Sequence, residues 1–580
     1  MIKSINDSKE YSLLTLENGL EVLLVSTEGC KMQSNRAAAA VAVQVGSFSD
    51  PLEAQGLAHF VEHMVFMGST AYPVENYYDA FVHSHGGDCN AMTEGEFTVY
   101  QFSISSEHFP PALDIFAHAL LYPLLNESAM ERELEAIDSE FQSSLSDDGA
   151  RLQQLLGVSS IDNHVLQKFS WGNEYSLKLF PSEKKVNVPA LLKSFHRKHY
   201  LPSNMKLVMI SPDGLDEMET YVRSSAFNQM TSSTDASTGP TSDLPLPSLP
   251  SQDEVLRNMV LPLPAGSFCR LYRIIPCKKA HKILLSWQLP GIAVSYRSKS
   301  ASYLAHLIGH EGPGSLLSEL RRLGYATSLS AGVAEGNVDN NSIFAIFNIT
   351  VGLTPSGLAN WMSVTTVVFS YLTMLSDAGP QEWIFRELQE MADMQFAHHE
   401  EEEEEDVVEA LAIELLPYRR VDRVDLLAAP YLFFEYKPEE IRSLLAHLKD
   451  PAIVRIELLS LAFYVPGRVE EEVEDPETEW EDHSGDDNED DEEDDDEDEE
   501  DGEEHEEEQE EEEEDGEGDD DDESAEDEDT GAVAEVTLES ILRDYTGPKK
   551  YIPLVVPPSN SEYRKNVWTK FLSCCHYQPA

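Results

Sequence analysis

Residues 56–69 read GLAHFVEHMVFMGS. His59 and His63 stand four apart, with Glu62 one residue before the second. On an α-helix, positions i and i+4 share a face, so both imidazoles can reach one metal ion while Glu62 lies on the adjoining edge. Leu57, Phe60, Val61, Met64 and Val65 supply the apolar side, and Gly68 suits a helix end. The same residues also fit two surface histidines on an ordinary helix. A catalytic zinc takes three protein ligands and keeps one open position. The rest of the chain must therefore supply a third ligand and a place for a substrate.

Candidates for the third ligand lie in ERELEAIDSEFQ, residues 131–142. Glu133, Ile137, Glu140 and Ser144 share a helical face. Glu133 and Glu140 are two turns, roughly 10 Å, apart along the axis, so only one can ligate while the other supports a ligand.

Around these motifs the first 227 residues read as one mixed α/β unit. EYSLLTL and LEVLLVS form a hairpin about Glu17-Asn18-Gly19. AAAAVAVQVGSF is a buried strand, helices are predicted over 54–67, 74–86, 109–121 and 128–145, and KLVMISP is a further strand. Residues 228–256 are rich in Ser, Thr and Pro and read as a linker. A second unit follows over 257–468, and it repeats the first. ILLSWQLPG, then His306-Leu-Ile-Gly309-His310, then RELQEMADMQF echo VAVQVGSF, HFVEH and RELEAIDSEF in order. In that alignment Gly309 stands for Glu62, Glu387 for Glu133 and Met394 for Glu140. The fold class is α+β: two homologous mixed α/β domains with antiparallel-rich sheets and packed helices, the second lacking a zinc site.

The 580-residue chain carries a net charge of −68. Residues 470–530 hold 45 of its acidic side chains and no Lys or Arg, leaving −23 for the remainder. The segment 469–530 cannot bury enough apolar surface to fold alone and is expected to be disordered. A short segment, 531–580, follows with a helix-like VTLESILRDY. Such a field repels nucleic acid and attracts basic partners: peptides, polyamines or a basic protein. The six cysteines show no framework spacing, which predicts a reducing, cytoplasmic location. The N-terminus has no signal-peptide core, and no apolar run reaches the length of a membrane span.

The pattern His-x-x-Glu-His is the inverted zinc motif. From Gly46 through SFSDPLEAQ to Ser69 the chain resembles the insulysin/nardilysin family of pitrilysin-type metallopeptidases. Its remote glutamate ligand sits in a VDSE context. Here IDSE ends at Glu140, 77 residues after His63, which is the family's spacing. The resemblance implies Zn2+ held by His59, His63 and Glu140, Glu62 as general base, and Glu133 as the auxiliary glutamate behind a ligand. GGDCNAMTEGEFTVYQF resembles the family's edge strand, so Asn90 and Ala91 would pair with substrate. The second domain resembles the region where insulysin-type enzymes grip a substrate N-terminus, at His306, Gly309, Glu311 and Leu329. Ala305 and Ala331 stand there in place of glycine, which implies a narrower site.

FFEYKPEEI and the acidic segment are closest in kind to nardilysin-type members, which cut beside basic residues. In those members, however, the acidic segment precedes the zinc motif. Family members also carry a second domain pair that closes over the site. The expectation here is an N-terminal half only: a zinc endopeptidase for basic peptides whose chamber is completed by a second chain or copy. The alternative is a half-enzyme that binds basic peptides or polyamines without turnover.

Three further features carry no site. GHEGPGS lacks the Gly-Lys-Ser/Thr of a phosphate loop, the run His398–Asp406 reads as a solvated charged face, and Cys574-Cys575-His576 is an incomplete ligand set. Cys89 reads as a half-buried neutral thiol.

Overall fold

β1 (Glu10–Thr15) and β2 (Glu21–Ser26) pair antiparallel about Gly19, whose φ of 92° suits the turn. They begin a six-stranded sheet with β3 (Arg36–Val43), β4 (Asp88–Thr93), β5 (Thr98–Ser105) and β6 (Met205–Ser211), in the order β1-β2-β6-β3-β5-β4. Only β2 and β6 run parallel. Among the described residues β4 is therefore an edge, bonded to β5 alone.

The computed structural model describes residues 1–30, 34–229, 261–264, 270–334, 336–400, 402–463 and 578–579. The linker of 228–256 beyond residue 229, the acidic segment 469–530 and the helix-like VTLESILRDY lie outside the described residues.

β3 is apolar from Ala37 onward because both its faces are covered. Ala37, Ala39, Val41 and Val43 face a core built with α1 (Leu57–Val65), α3 (Phe109–Leu121) and α4 (Glu127–Ser144). α2 (Tyr77–Ser84) packs at the edge of this layer. Ala38, Ala40 and Ala42 face the other way, onto Val408, Ala412 and Leu415. Those three belong to or adjoin the helix Glu404–Glu414. The run that reads as a solvated charged face thus leads into this helix, where Glu405 accepts from the Ser103 hydroxyl on β5 and the apolar residues beyond it cover the first domain's sheet. Arg423 extends the strap with a two-pronged ion pair to Glu21, at 2.9 and 2.8 Å.

The second sheet comprises β7 (Leu271–Ile274), β8 (His281–Pro290), β9 (Ala326–Val333), β10 (Phe344–Leu353), β11 (Arg455–Ser460) and the two-residue β12 (Gln578–Pro579). Five of its strands, in the order β7-β11-β8-β10-β9, repeat β2-β6-β3-β5-β4 of the first sheet, including the single parallel pair, here β7 with β11, while β12, from residues 578–579, takes the edge held by β1 in the first. The repeat in the sequence is thus a repeat of topology. The two domains are tied at the β4–β5 turn, where buried Glu96 accepts hydrogen bonds from the Ser342 hydroxyl and, at 2.9 Å, the Ser342 backbone N–H.

Candidate active site

α1 carries both histidines on the face turned away from its buried Leu57, Val61, Met64 and Val65. The helix starts at Gly56, in a left-handed conformation with φ of 91°. A side chain here would meet the backbone of Gly172, with a Cβ only 2.2 Å from its Cα. This close approach brings the 171–172 loop against the histidines. The Trp171 carbonyl accepts from His59 Nδ1 at 2.6 Å, which turns the Nε2 lone pair to the cleft. Glu133 Oε2 does the same for His63, 3.2 Å from Nδ1.

The two Nε2 atoms then lie 3.3 Å apart. Glu140 reaches them from α4, at 3.4 Å from His59 Nε2 and 3.6 Å from His63 Nε2. Ile137 and Phe141 bury the same helix and fix its rotation, so Glu133 and Glu140 project toward α1 one behind the other. Two oriented imidazole nitrogens and the Glu140 carboxylate, with Oε2 3.4 Å from His59 and Oε1 3.6 Å from His63, make a donor set that fits zinc. His59, His63 and Glu140 would hold the ion, with Glu133 and the Trp171 carbonyl behind the imidazoles.

The charges support this reading. His59 and His63 hold Glu140 well below the usual carboxylate range. Burial opposes charge on His63, but hydrogen bonds to Glu133 and Glu140 outweigh it and lift the imidazole to about 9. The metal-free site is thus a cage that favours positive charge, whether proton or metal.

Glu62 comes from α1 itself, with a carboxylate oxygen within 4.8 Å of the His59 and His63 donor nitrogens. It is buried, and burial raises its pKa against the opposing pull of His59, Thr93 and His63. Thr93 Oγ1 donates to its Oε2 at 2.5 Å and fixes the carboxylate. Thr93 sits two residues beyond Ala91, on the same face of β4 by the strand's alternation. Asn90, Ala91 and Thr93 line an open cleft of about 710 Å³ together with His59, Glu62 and Glu140.

Sequence reasoning missed three supports. Thr93 could have been found from the two-residue period of β4. The Trp171 carbonyl could not, because a backbone acceptor leaves no side-chain signature. Asp50 was hidden by its distance from the helix it anchors: it accepts from the Gly56 and Ala58 N–H groups at 2.7 and 2.8 Å, a carboxylate at the positive end of α1. Burial pushes the Asp50 carboxyl up and its neighbour Lys168 down. Lys168 Nζ in turn donates to the Phe48 and Asp50 carbonyls.

His306, Gly309, Glu311 and Leu329 are absent from the described lining of this cleft. His306 and Gly309 lie on the helix Ser300–Gly309, which packs on β9, with Ala305 Cβ 3.7 Å from the Cβ position of Gly332. Leu329 is buried in the second core, and Glu311 pairs with Arg321 at 3.4 Å. Cys89 is half-buried, and burial with Asp79 and Asp88 pushes its thiol up to about 12.

Comparison with known proteins finds two family models along the chain. Residues 29–161 match the insulinase model of peptidase family M16, and residues 188–391 match the model of the family's inactive domain. Nardilysin of Rattus norvegicus is 37% identical over 442 residues, covering 76% of this chain and 36% of that protein. Insulin-degrading enzyme of Homo sapiens is 35% identical over 464 residues, covering 80% of this chain and 42% of that protein. The chain thus spans less than half the length of these relatives. The crystal structure of pitrilysin superposes with a TM-score of 0.69 at 28% identity, over 79% of this chain and 46% of that one. A protease from Helicobacter pylori shares the fold, with a TM-score of 0.58 at 17% identity over 78% of this chain and 99% of that one. The two family models together cover more than half of the sequence. The chain belongs to the insulinase family of peptidases, family M16.

Proposed function

We propose that the chain is a zinc-dependent endopeptidase acting on extended, basic peptides. The observation that carries this is the convergence of His59, His63 and Glu140 beside a separate buried carboxylate, Glu62, at the open edge of a sheet. A zinc ion held by those three groups supplies a Lewis acid that acidifies water and polarises a carbonyl. Glu62, its pKa raised by burial, takes the proton of the attacking water and returns it to the leaving amine. Thr93 keeps the Glu62 carboxylate aimed. The unpaired backbone of β4 at Asn90 and Ala91 binds the peptide by strand addition.

Basic substrates follow from Asp79 and Glu94 in the cleft and from the acidic run of 470–530. Among the described residues no helix is long and apolar enough to cross a membrane. Cys30, Cys89 and Cys277 are unbridged, in keeping with a reducing, cytoplasmic setting. His306, Gly309, Glu311 and Leu329 are assigned to anchoring the substrate's N-terminus. The acidic run also supports a second reading: capture of basic peptides or polyamines without turnover, or turnover only with a second chain or copy.

The test is cleavage of two internally quenched peptides, one with a central Arg-Lys pair and one with Glu-Asp, with and without a zinc chelator. Chelator-sensitive cleavage of the basic peptide supports the proposal. Tight binding of that peptide without cleavage, by a zinc-loaded chain, selects the second reading.

A further inference from the structure

Beside the cleft, α2 and β4 bring a second group of metal-ligating side chains together. Asp79 and His83 stand four apart on α2 and share a face. The chain then turns at Gly86-Gly87. Gly86 has φ of 72°, and a Cβ on Gly87 would lie 2.2 Å from the Ser103 carbonyl oxygen. This tight return places Asp88 and Cys89, the first residues of β4, against α2.

Asp79 Oδ1 lies 3.2 Å from His83 Nε2 and 3.5 Å from Cys89 Sγ. The donor atoms of all three residues fall within 4.8 Å of one another. Asp88 Oδ1 is 4.0 Å from His83 Nε2. Tetrahedral zinc with ordinary bond lengths has ligand-to-ligand edges of about 3.3 Å between nitrogen and oxygen and about 3.6 Å between oxygen and sulfur. The two Asp79 separations match those edges, whereas Asp88 lies outside them. A second feature, outside the cluster, orients it. His83 Nδ1 donates to the Gly87 carbonyl at 3.1 Å, which leaves Nε2 free to bind and facing Asp79. This is the arrangement that backs metal-ligating imidazoles. The same device backs His59 through Trp171.

We propose that Asp79, His83 and Cys89 form a second zinc site at the rim of the cleft. Mixed sulfur, nitrogen and oxygen donors select zinc over magnesium or calcium. Asp79 and His83 are about half exposed, so this site loads after the more enclosed His59–His63–Glu140 centre. Asp79 and Cys89 also line the cleft, and Cys89 directly precedes Asn90 and Ala91. A loaded site therefore cross-links α2 to the strand that would receive substrate.

The test is a cobalt titration of the full chain after its first centre has been filled with zinc. The readout is the thiolate-to-cobalt charge-transfer band, to which carboxylates of the acidic run do not contribute. The wild-type chain is expected to show the band, and Cys89→Ser to lose it. His83→Ala should weaken the underlying binding by about tenfold or more. His63→Ala should retain the band, because the site does not depend on the first centre or on peptidase activity. A band that persists in Cys89→Ser would place the thiolate elsewhere, for instance at Cys574 and Cys575, and overturn the proposal. Absence of the band in the wild-type chain would overturn it as well.

Discussion

In the first repeat, α1 runs unbroken through His63, and the rings of His59 and His63 lie 4.8 Å apart with their Nε2 atoms converging. In the second, the helix Ser300–Gly309 stops one residue short of His310, which is extended at φ −61° and ψ 140°. The His306 and His310 rings are 6.2 Å apart, and His310 Nδ1 accepts instead from the Gly312 N–H at 3.0 Å. Gly309 stands where Glu62 would be. Met394, in the place of Glu140, is an exposed apolar side chain. The two sheets nonetheless share one topology. Sheet order and core patterning thus set the fold, whereas the candidate metal centre needs additional parts: a helix held through its second histidine, two carboxylates on the facing helix, and a backbone acceptor behind His59.

The sharpest way to break this comparison is to remove one histidine from each repeat. His63→Ala should abolish tightly held zinc and all cleavage, whereas His310→Ala should leave both unchanged, by metal analysis and peptide assay. Equal loss in the two variants would mean that the repeats are not divided in this way.

Helical spacing made the candidate side chains readable, i to i+4 for the histidines and two turns for Glu133 and Glu140, but which glutamate would ligate came only from the family resemblance. That the chain holds two copies of one fold was legible in the repeated order of strand, histidine pair and REL helix; the strand order of the sheets was not, because periodicity does not report which strands pair. Less legible was the strap Glu404–Glu414. Its acidic run masked an apolar stripe of Val408 and Ala412 leading to Leu415, and its partner surface lies some three hundred residues earlier. Periodicity reports that a face is apolar, not which sheet it will cover. The strap gives the next prediction. Leu415 is fully buried against the first sheet, so Leu415→Ala should cost ~2–5 kcal/mol by denaturant unfolding. A loss within experimental error would show that the strap does not hold the first domain.

Acid offers a third probe, because the first repeat buries a histidine that plays no part in the site. His196 is buried on the helix Val188–His199, its Nε2 donating to the Leu120 carbonyl at 2.7 Å, and burial pushes its pKa down to about 4. An unfolded imidazole titrates near ~6.5. The folded state therefore binds this proton less readily than the unfolded chain. The resulting stability is fully present above pH ~6.5 and falls as pH drops toward about 4, by on the order of 3 kcal/mol. His196→Gln should flatten that part of the pH–stability curve relative to wild type; an unchanged slope would show that His196 does not contribute it.

The smallest effect expected concerns the glutamates shared by both repeats. Glu133→Ala removes the carboxylate behind His63 and should weaken zinc binding by about 10- to 100-fold without abolishing it. Its counterpart Glu387→Ala should have no effect on zinc. If the two variants behave alike, the resemblance between the REL helices extends to function after all.

The central claim is that Glu62 moves protons beside a metal it does not hold. The most direct measurement is turnover of the Arg-Lys peptide by Glu62→Gln, with tightly bound zinc determined on the same sample. The account predicts one tight zinc per chain, as in wild type, and turnover reduced by at least about 100-fold. Zinc retained with near-normal turnover would contradict the assignment of the base. Zinc lost with the substitution would make Glu62 a ligand rather than the proton carrier.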